Sequence, residues 1–300
     1  MTRHTTVNGL LLLSLAILWG SAFAITKIAL QTIAPEWIVA LRILLATCIL
    51  LPAAWLAGQS LPRGRRHWTW MAALAVCGNI APFYAVSWGQ QYISSSLAGI
   101  LMGFIPLATL LLAHIFVPGE KLTLARGTGF LLGFAGLLLI MGHDALSTIE
   151  TSGIRLWAEL AVLTGAFLYA ANNIIARRAP SLPVLAKSAS VALLSAAIAP
   201  PLAVISMPTP FADASPASLI AVLALGLFPT ALATIIFFKL VEKAGPSFTS
   251  LTSYLVPVVA LSIGIVMMGE QAAPEMLGGL ALILCGIALS ELSWRRRSRP

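Results

Sequence analysis

Long apolar runs dominate this chain, and short polar or Pro/Gly-rich breaks separate them. A membrane-spanning helix needs about 20 predominantly apolar residues. Ten runs of about that length can be traced, covering residues 8–30, 35–57, 67–89, 93–116, 123–142, 154–178, 183–206, 216–241, 246–269 and 274–294. No polar tract between them is long enough for a soluble domain. The pattern predicts an all-α polytopic membrane protein with ten transmembrane helices.

Composition and charge agree with this prediction. Only 9% of the 300 residues are charged, whereas a soluble domain carries roughly a quarter. The net charge of +8 is concentrated in segments predicted to face the cytoplasm, such as Arg63–Arg66 and the tail 295–300. Positive-inside insertion produces this asymmetry, so both termini are predicted to be cytoplasmic in a bacterial inner membrane. The basic tail is interpreted as an anchor at the lipid headgroups, with no nucleic-acid partner.

Prolines recur at matched depths in the two halves of the chain with a nearly constant offset. The matched pairs are Pro52 with Pro200, Pro82 with Pro229, and Pro106 with Pro257. Each half has an odd number of predicted spans, so the second half must insert upside down relative to the first. Two inverted five-helix repeats are therefore predicted, over residues 1–143 and 154–294. Inverted repeats are typical of secondary transporters that work by alternating access.

Several short motifs occur in an order that is specific even though each is loose. They are Trp19-Gly20-Ser21-Ala22-Phe23, Ser94 to Leu101, Pro106, Gly119-Glu120-Lys121-Leu122, Gly245-Pro246-Ser247, Leu255-Val256-Pro257 and Gly269-Glu270-Gln271. In these motifs the chain resembles the EamA-type proteins of the drug/metabolite transporter superfamily, over nearly its whole length. Within that superfamily it is most similar to the aromatic amino acid exporters. The resemblance implies efflux of phenylalanine, tyrosine, tryptophan and other neutral amino acids.

Transporter sites lie near the bilayer midplane, where broken helices line a path between the repeats. The register of the spans gives eight candidate substrate-binding residues, seven near the midplane and Asn172 one turn further in: Trp19, Ser21, Asn79, Phe83, Tyr169, Asn172, Thr230 and Tyr254. Four prolines are the candidate hinges: Pro82, Pro106, Pro229 and Pro257.

Each candidate also has a plainer interpretation. Asn79 either hydrogen-bonds a substrate or forms a helix–helix hydrogen bond, which in membranes averages about 0.6 kcal/mol. Trp19, Phe83 and Tyr254 offer flat faces to an aromatic substrate, but each residue taken singly is more typical of a packed core. Tyr169 is expected to line a cavity or to pack with its hydroxyl satisfied.

Two basic residues fall within the spans. Lys27 is expected to extend toward the headgroups. Arg42 is expected to pair with Glu36, the alternative being a substrate carboxylate. No Asp or Glu lies at the midplane of a span, and proton-coupled carriers commonly use one as a relay. Facilitative or exchange transport is therefore predicted.

Rival functions find less support in the sequence. A membrane-embedded enzyme needs a catalytic constellation at one depth, and no such motif is present; catalytic residues, cofactors and metal sites are not expected. A channel needs polar or charged rings along a pore, and none is visible in the sequence. Another cargo, such as a different metabolite or a drug, is the stronger rival. The glycines Gly129 and Gly133 favour packing within the monomer, with a weak dimer as the alternative.

Overall fold

The computed structural model describes residues 2–118, 123–147, 152–206 and 213–297, and these residues form helices joined by short connections. The α-helices are α1 Thr2–Ala29, α2 Pro35–Leu56, α3 Arg65–Ala75, α4 Ala81–Gly89, α5 Ser95–Met102, α6 Ile105–Phe116, α7 Leu124–Ser147, α8 Ser152–Arg178, α9 Val184–Ser206, α10 Pro216–Leu225, α11 Ala233–Ala244, α12 Pro246–Thr249, α13 Thr252–Met268 and α14 Pro274–Arg297. Two π-helical segments, Val76–Ile80 and Gly226–Leu232, connect α3 to α4 and α10 to α11.

Eight helices in the described part of the chain are long and apolar enough to cross a membrane. They are Thr6–Ala29, Pro35–Leu56, Arg65–Gly89, Ser95–Phe116, Leu124–Met141, Gly153–Arg178, Val184–Ser206 and Pro216–Ala244. Two further apolar helices, Thr252–Met268 and Pro274–Ser290, are shorter. The molecule is therefore a multi-pass helical membrane protein, and the first eight of the ten predicted spans each have a helix of spanning length.

The predicted ninth span is shortened by a local break. The apolar run predicts one helix over residues 246–269. In the structure, a turn at Ser250 and Leu251 separates α12 from α13. A similar break at Gly103 and Phe104 divides the predicted fourth span into α5 and α6. There the reason is local, because Pro106 has no N–H to continue the helical ladder and restricts the residue before it.

Helix packing joins the two halves of the chain in several places. Helix α2 packs along α9, α7 along α14, and α5 against α13. Helix α1 packs against α13, α10 and α11, whereas α8 packs against α6, α5 and α4. Contacts between the halves therefore dominate the architecture.

Helices α7 and α14 approach each other through glycine. A methyl group at Gly129 would lie 2.5 Å from the carbonyl oxygen of Gly286, and one at Gly136 would lie 2.7 Å from that of Gly279. Small residues allow such close backbone approach between membrane helices. The prediction that Gly129 and Gly133 serve packing within the monomer is confirmed.

Candidate functional site

The guanidinium of Arg42 is the centre of a polar and aromatic cluster inside the helix bundle. Arg42 lies on α2 and is only 7% exposed. Its Nε and Nη2 atoms donate hydrogen bonds to Thr230 Oγ1, at 3.1 and 3.0 Å. These bonds tie α2 to a part of the chain 188 residues away.

The Thr230 hydroxyl is oriented by a hydrogen bond to the backbone next to the second π segment. Thr230 lies in the segment Gly226–Leu232, and its Oγ1 donates to the carbonyl oxygen of Leu225 at 2.7 Å. Because the hydroxyl proton is committed to Leu225, the oxygen lone pairs face the guanidinium. Pro229 lies within the same segment and has no N–H of its own, which is typical of a locally altered helix.

Two aromatic rings complete the cluster. The Cζ atom of Arg42 lies 3.8 Å from the centroid of the Phe83 ring, which is a cation–π arrangement. The rings of Phe83 and Tyr169 meet edge to face, with centroids 6.4 Å apart. Tyr169 also interacts electrostatically with Arg42. Three of the predicted site residues, Phe83, Tyr169 and Thr230, thus converge on one cation.

The expected pairing of Arg42 with Glu36 does not form. Within the described residues no carboxylate lies within salt-bridge distance of Arg42. Glu36 is six positions earlier on the same helix, whereas side chains meet along a helix at spacings of three or four. A charged side chain at the centre of a membrane helix costs about 2.5–3.5 kcal/mol on insertion scales. A buried arginine within a span therefore indicates a functional role.

The two predicted asparagines lie in and against the first π segment: Asn79 belongs to Val76–Ile80, and Asn172 lies on α8. Asn79 Nδ2 donates to Ser195 Oγ on α9 at 3.2 Å, so its amide forms the helix–helix hydrogen bond that was one of its two interpretations. The Asn172 side chain lies directly over Gly78, where an added methyl group would be 2.8 Å from Asn172 Cγ. The first π segment therefore contains Asn79 and packs against Asn172.

The remaining predicted contacts are not brought to Arg42. Trp19 packs on Phe237 of α11, with ring centroids 5.6 Å apart. Ser21 Oγ donates to the Leu18 carbonyl within its own helix at 3.1 Å. Tyr254 packs against the core formed largely by α5, α7, α8 and α14.

Three of the four predicted hinge prolines lie at or next to irregular helix, and the fourth, Pro257, lies within a regular helix. Pro82 follows the first π segment, in the first turn of α4, and Pro229 lies inside the second. Pro106 lies in the first turn of α6, after the break at Gly103. Pro257 lies within α13 and faces Gly103, where a methyl group would be 2.9 Å from Pro257 Cγ.

A second polar cluster, absent from the sequence predictions, joins the α13–α14 turn to the start of α5. The Glu270 carboxylate accepts hydrogen bonds from the backbone N–H and hydroxyl of Ser95, at 2.7 and 2.8 Å. It accepts the same two kinds of bond from Ser96, at 2.9 and 2.5 Å. Burial alone would raise the pKa of the Glu270 carboxyl, but these four hydrogen bonds outweigh it and lower that pKa below its ordinary value.

Lys27 belongs to the same end of the molecule. Its Nζ donates to the carbonyl oxygens of Gln90 and Ile93, at 2.6 and 2.8 Å, and it interacts electrostatically with Glu270. Backbone carbonyls of the α4–α5 connection thus satisfy the ammonium, and the extension of Lys27 toward the headgroups stays a prediction. The motifs around Ser94 and Glu270 were visible in the sequence, but their mutual contact was not. The motif Gly119–Leu122 lies outside the described residues.

Comparisons with known proteins agree with a membrane carrier. A probable terminal-alkyne amino-acid exporter of Streptantibioticus cattleyicolor is 27% identical, covering 91% of this chain and 89% of its own. The uncharacterized transporter YoaV of Bacillus subtilis is 22% identical over 95% of this chain and 97% of its own. The uncharacterized inner membrane transporter YedA of Escherichia coli K12 is 25% identical over 94% and 89%.

A solved crystal structure shares the fold, with a TM-score of 0.68 and 21% identity over 97% of this chain and 99% of the other. The family profile of the EamA-like transporters matches residues 8–142 and, separately, residues 156–292. Together these two stretches cover most of the chain, so this protein belongs to the EamA-like transporter family.

Proposed function

We propose that this protein is a secondary transporter that exports amino acids, aromatic and other neutral ones, by alternating access. The observation that carries the proposal is the convergence of Phe83, Tyr169 and Thr230 on the buried Arg42. The cluster combines a cation, two aromatic rings and a hydroxyl from four separate helical segments. A cation suits the carboxylate of an amino acid, and the aromatic rings suit an apolar side chain. Small-molecule sites commonly combine an apolar lining with a few placed polar groups.

Pseudo-symmetric packing supports two inverted repeats, residues 1–143 and 154–294. The contact between α1 of the first repeat and α13 of the second has its counterpart in the contact between α8 of the second repeat and α5 and α6 of the first. The pairs α2 with α9 and α7 with α14 each join equivalent helices of the two halves. The separate family matches to the two halves support the same arrangement. Ten spans with both termini in the cytoplasm complete the proposed topology, because five spans per repeat invert the second repeat.

The matched irregular segments support alternating access. Val76–Ile80 and Gly226–Leu232 occupy corresponding spans of the two proposed repeats. Of the matched prolines, Pro82 follows the first segment and Pro229 lies within the second. π-Helical turns occur frequently at functional sites. Phe83 and Thr230 are attached to these segments, so a change in either segment would move a side chain of the cluster. We propose Pro82, Pro106, Pro229 and Pro257 as the hinges.

The five other predicted positions are proposed as contacts for the rest of the substrate along its path. They are Trp19, Ser21, Asn79, Asn172 and Tyr254. An amino-acid cargo also agrees with the printed description of the Streptantibioticus cattleyicolor relative as a probable amino-acid exporter. Transport is proposed to be facilitative or by exchange.

Counterflow tests this function directly. Proteoliposomes containing the purified protein are preloaded with unlabelled amino acid, and uptake of labelled phenylalanine, tryptophan and threonine is measured. We expect uptake above that of empty liposomes, and inhibition of it by external unlabelled aromatic amino acids. Collapse of an imposed pH gradient should leave counterflow unchanged. Absence of uptake by a folded preparation would refute amino-acid transport and direct the search to another metabolite.

A further inference from the structure

Arg42 has hydrogen-bonding capacity that the described residues do not use. A guanidinium carries five N–H groups and no acceptor. Two of them, on Nε and Nη2, point to Thr230 Oγ1. The other three have no hydrogen-bond partner among the described residues, although the side chain is almost fully buried.

The neighbours of Arg42 determine which edge of the guanidinium stays available. Thr230 occupies the edge formed by Nε and Nη2, and the Phe83 ring covers one flat face. The edge formed by Nη1 and the second hydrogen of Nη2 is left. Two parallel N–H groups on such an edge match the two oxygens of a carboxylate, which is the usual bidentate partner of arginine.

The charge at this position also favours an anion. Within the described residues no Asp or Glu forms an ion pair with Arg42, and the nearby Tyr169 side chain is a phenol that carries no charge at neutral pH. A buried cation without a counter-ion attracts a negative group and disfavours a cationic ligand. Phe83 and Tyr169 leave the surroundings apolar and aromatic.

We propose that Arg42 is the anchor for the substrate carboxylate, and that a free carboxylate is obligatory for binding whereas an amino group is not. This inference rests on the proposed function in so far as the site must bind the transported molecule. The ligand class is therefore small carboxylates whose remainder is apolar or aromatic, including amino acids. Thr230 acts as a positioning residue that orients the guanidinium.

A panel of four related compounds separates the contributions of the two charged groups. Phenylalanine has both a carboxylate and an ammonium, 3-phenylpropionate only the carboxylate, phenethylamine only the ammonium, and phenylalanine methyl ester an ammonium with a blocked carboxyl. Each is added to the purified full-length protein, and the shift in thermal unfolding temperature is measured. We expect the two carboxylates to raise it and the other two compounds to leave it unchanged. Equal stabilisation by phenethylamine would overturn the proposal.

Substitutions of Arg42 provide the second arm. Arg42→Met should lose the preference for carboxylates, with at least about tenfold weaker binding, since charge-assisted hydrogen bonds are the stronger kind. Arg42→Lys retains the charge without the fork, and should bind carboxylates weakly. Arg66→Gln, at an exposed position on α3, is the charge-matched control and should behave as the wild type. If Arg42→Met does not fold, an undiminished carboxylate preference in Arg42→Lys still overturns the proposal.

The outcomes distinguish this inference from the proposed function. If 3-phenylpropionate stabilises the protein but no amino acid does, the amino-acid proposal fails and the role of Arg42 stands. If amino acids are transported and phenethylamine competes equally, the transport function stands and the role of Arg42 fails. If none of the carboxylates binds to folded protein, both are overturned.

Discussion

At the level of single residues, Thr230 connects the altered helix to the buried cation. Its hydroxyl donates a hydrogen bond to the Leu225 carbonyl oxygen and accepts hydrogen bonds from two N–H groups of Arg42. Replacement by valine preserves the shape of the side chain but removes that acceptor. We expect Thr230→Val to raise the KM for phenylalanine counterflow by about tenfold, since a hydrogen bond to a charged group contributes about 1.5–3 kcal/mol. The maximal rate should change less.

Thr234→Val is the matched control for this prediction. The Thr234 hydroxyl donates to the Thr230 carbonyl one turn away, at 2.6 Å, and forms no hydrogen bond with Arg42. Its loss should leave the KM close to that of the wild type. An equal increase in KM for both variants would mean that helix stability is responsible and that orientation of Arg42 is not.

The candidate site was predictable only in part. The depth of Phe83, Tyr169 and Thr230 follows from their register in apolar runs, so these residues could be chosen from the sequence. Their common partner was assigned a different role, because the bond between Arg42 and Thr230 spans 188 residues and two non-consecutive helices. Local spacing made Glu36 the nearest carboxylate, but it lies off the face that Arg42 uses. Contacts of this kind depend on tertiary packing.

At the level of elements, the start of α5 depends on an acidic side chain from a distant turn. The first N–H groups of a helix lack intrahelical partners, and the Glu270 carboxylate satisfies those of Ser95 and Ser96. The pKa of Glu270 is lowered in the folded protein. The ionised carboxylate therefore stabilises the fold above its ordinary pKa of about 4.3, and this stabilisation disappears as the pH falls through the lowered value.

Glu270→Gln should accordingly unfold at a lower temperature than the wild type at pH 7, and the difference should shrink as the pH is taken below about 4. Thermal unfolding of the purified protein in detergent over a pH series measures this. Glu242→Gln, at an exposed position near the end of α11, is the control and should follow the wild type. A constant difference between Glu270→Gln and the wild type at every pH would contradict the assigned role of the ionised carboxylate.

The α7–α14 contact allows a test in which helix propensity is matched. Glycine to alanine favours an α-helix by roughly 0.5–1 kcal/mol wherever there is room. A methyl group at Gly286 would lie 2.8 Å from the backbone nitrogen of Gly133, whereas one at Gly9 would have no neighbour within 4 Å. We expect Gly286→Ala to lower the unfolding temperature and Gly9→Ala to preserve or raise it. Similar shifts in the same direction for both variants would refute the close approach.

Elements were easier to predict than their irregularities. Length and hydropathy located the apolar runs, and a helix was found in each of the first eight. The π segments and the turn at Ser250 were not predicted, since a run of apolar residues has the same composition whether its hydrogen bonds are α-helical or π-helical. Proline indicated where the helices are irregular, at Pro82, Pro106 and Pro229, but not which irregularity results.

For the whole molecule, hydropathy predicted the helical class because lipid requires each backbone polar group to be satisfied within a helix. The pairing of the helices could not be read in the same way, since lipid-facing and buried side chains in this chain are equally apolar. The contacts of α2 with α9 and of α7 with α14 are known only from the three-dimensional structure. They give the inverted-repeat proposal a physical basis, because equivalent helices meet about a common axis.

The membrane side on which each connection lies tests the proposed topology. If both termini are cytoplasmic, the α1–α2 connection faces outward and the α2–α3 connection faces inward. In a variant whose native cysteines, Cys48, Cys77 and Cys285, are replaced by serine, single cysteines are introduced at Gln31 and Ser60, which are both exposed. A membrane-impermeant maleimide should label the cysteine at 31 in intact cells and the one at 60 only after permeabilisation. The reverse pattern would mean that both termini face outward, against the prediction from the positive-inside rule. Equal labelling at both positions would place the two connections on the same side of the membrane, which contradicts a membrane-spanning helix Pro35–Leu56.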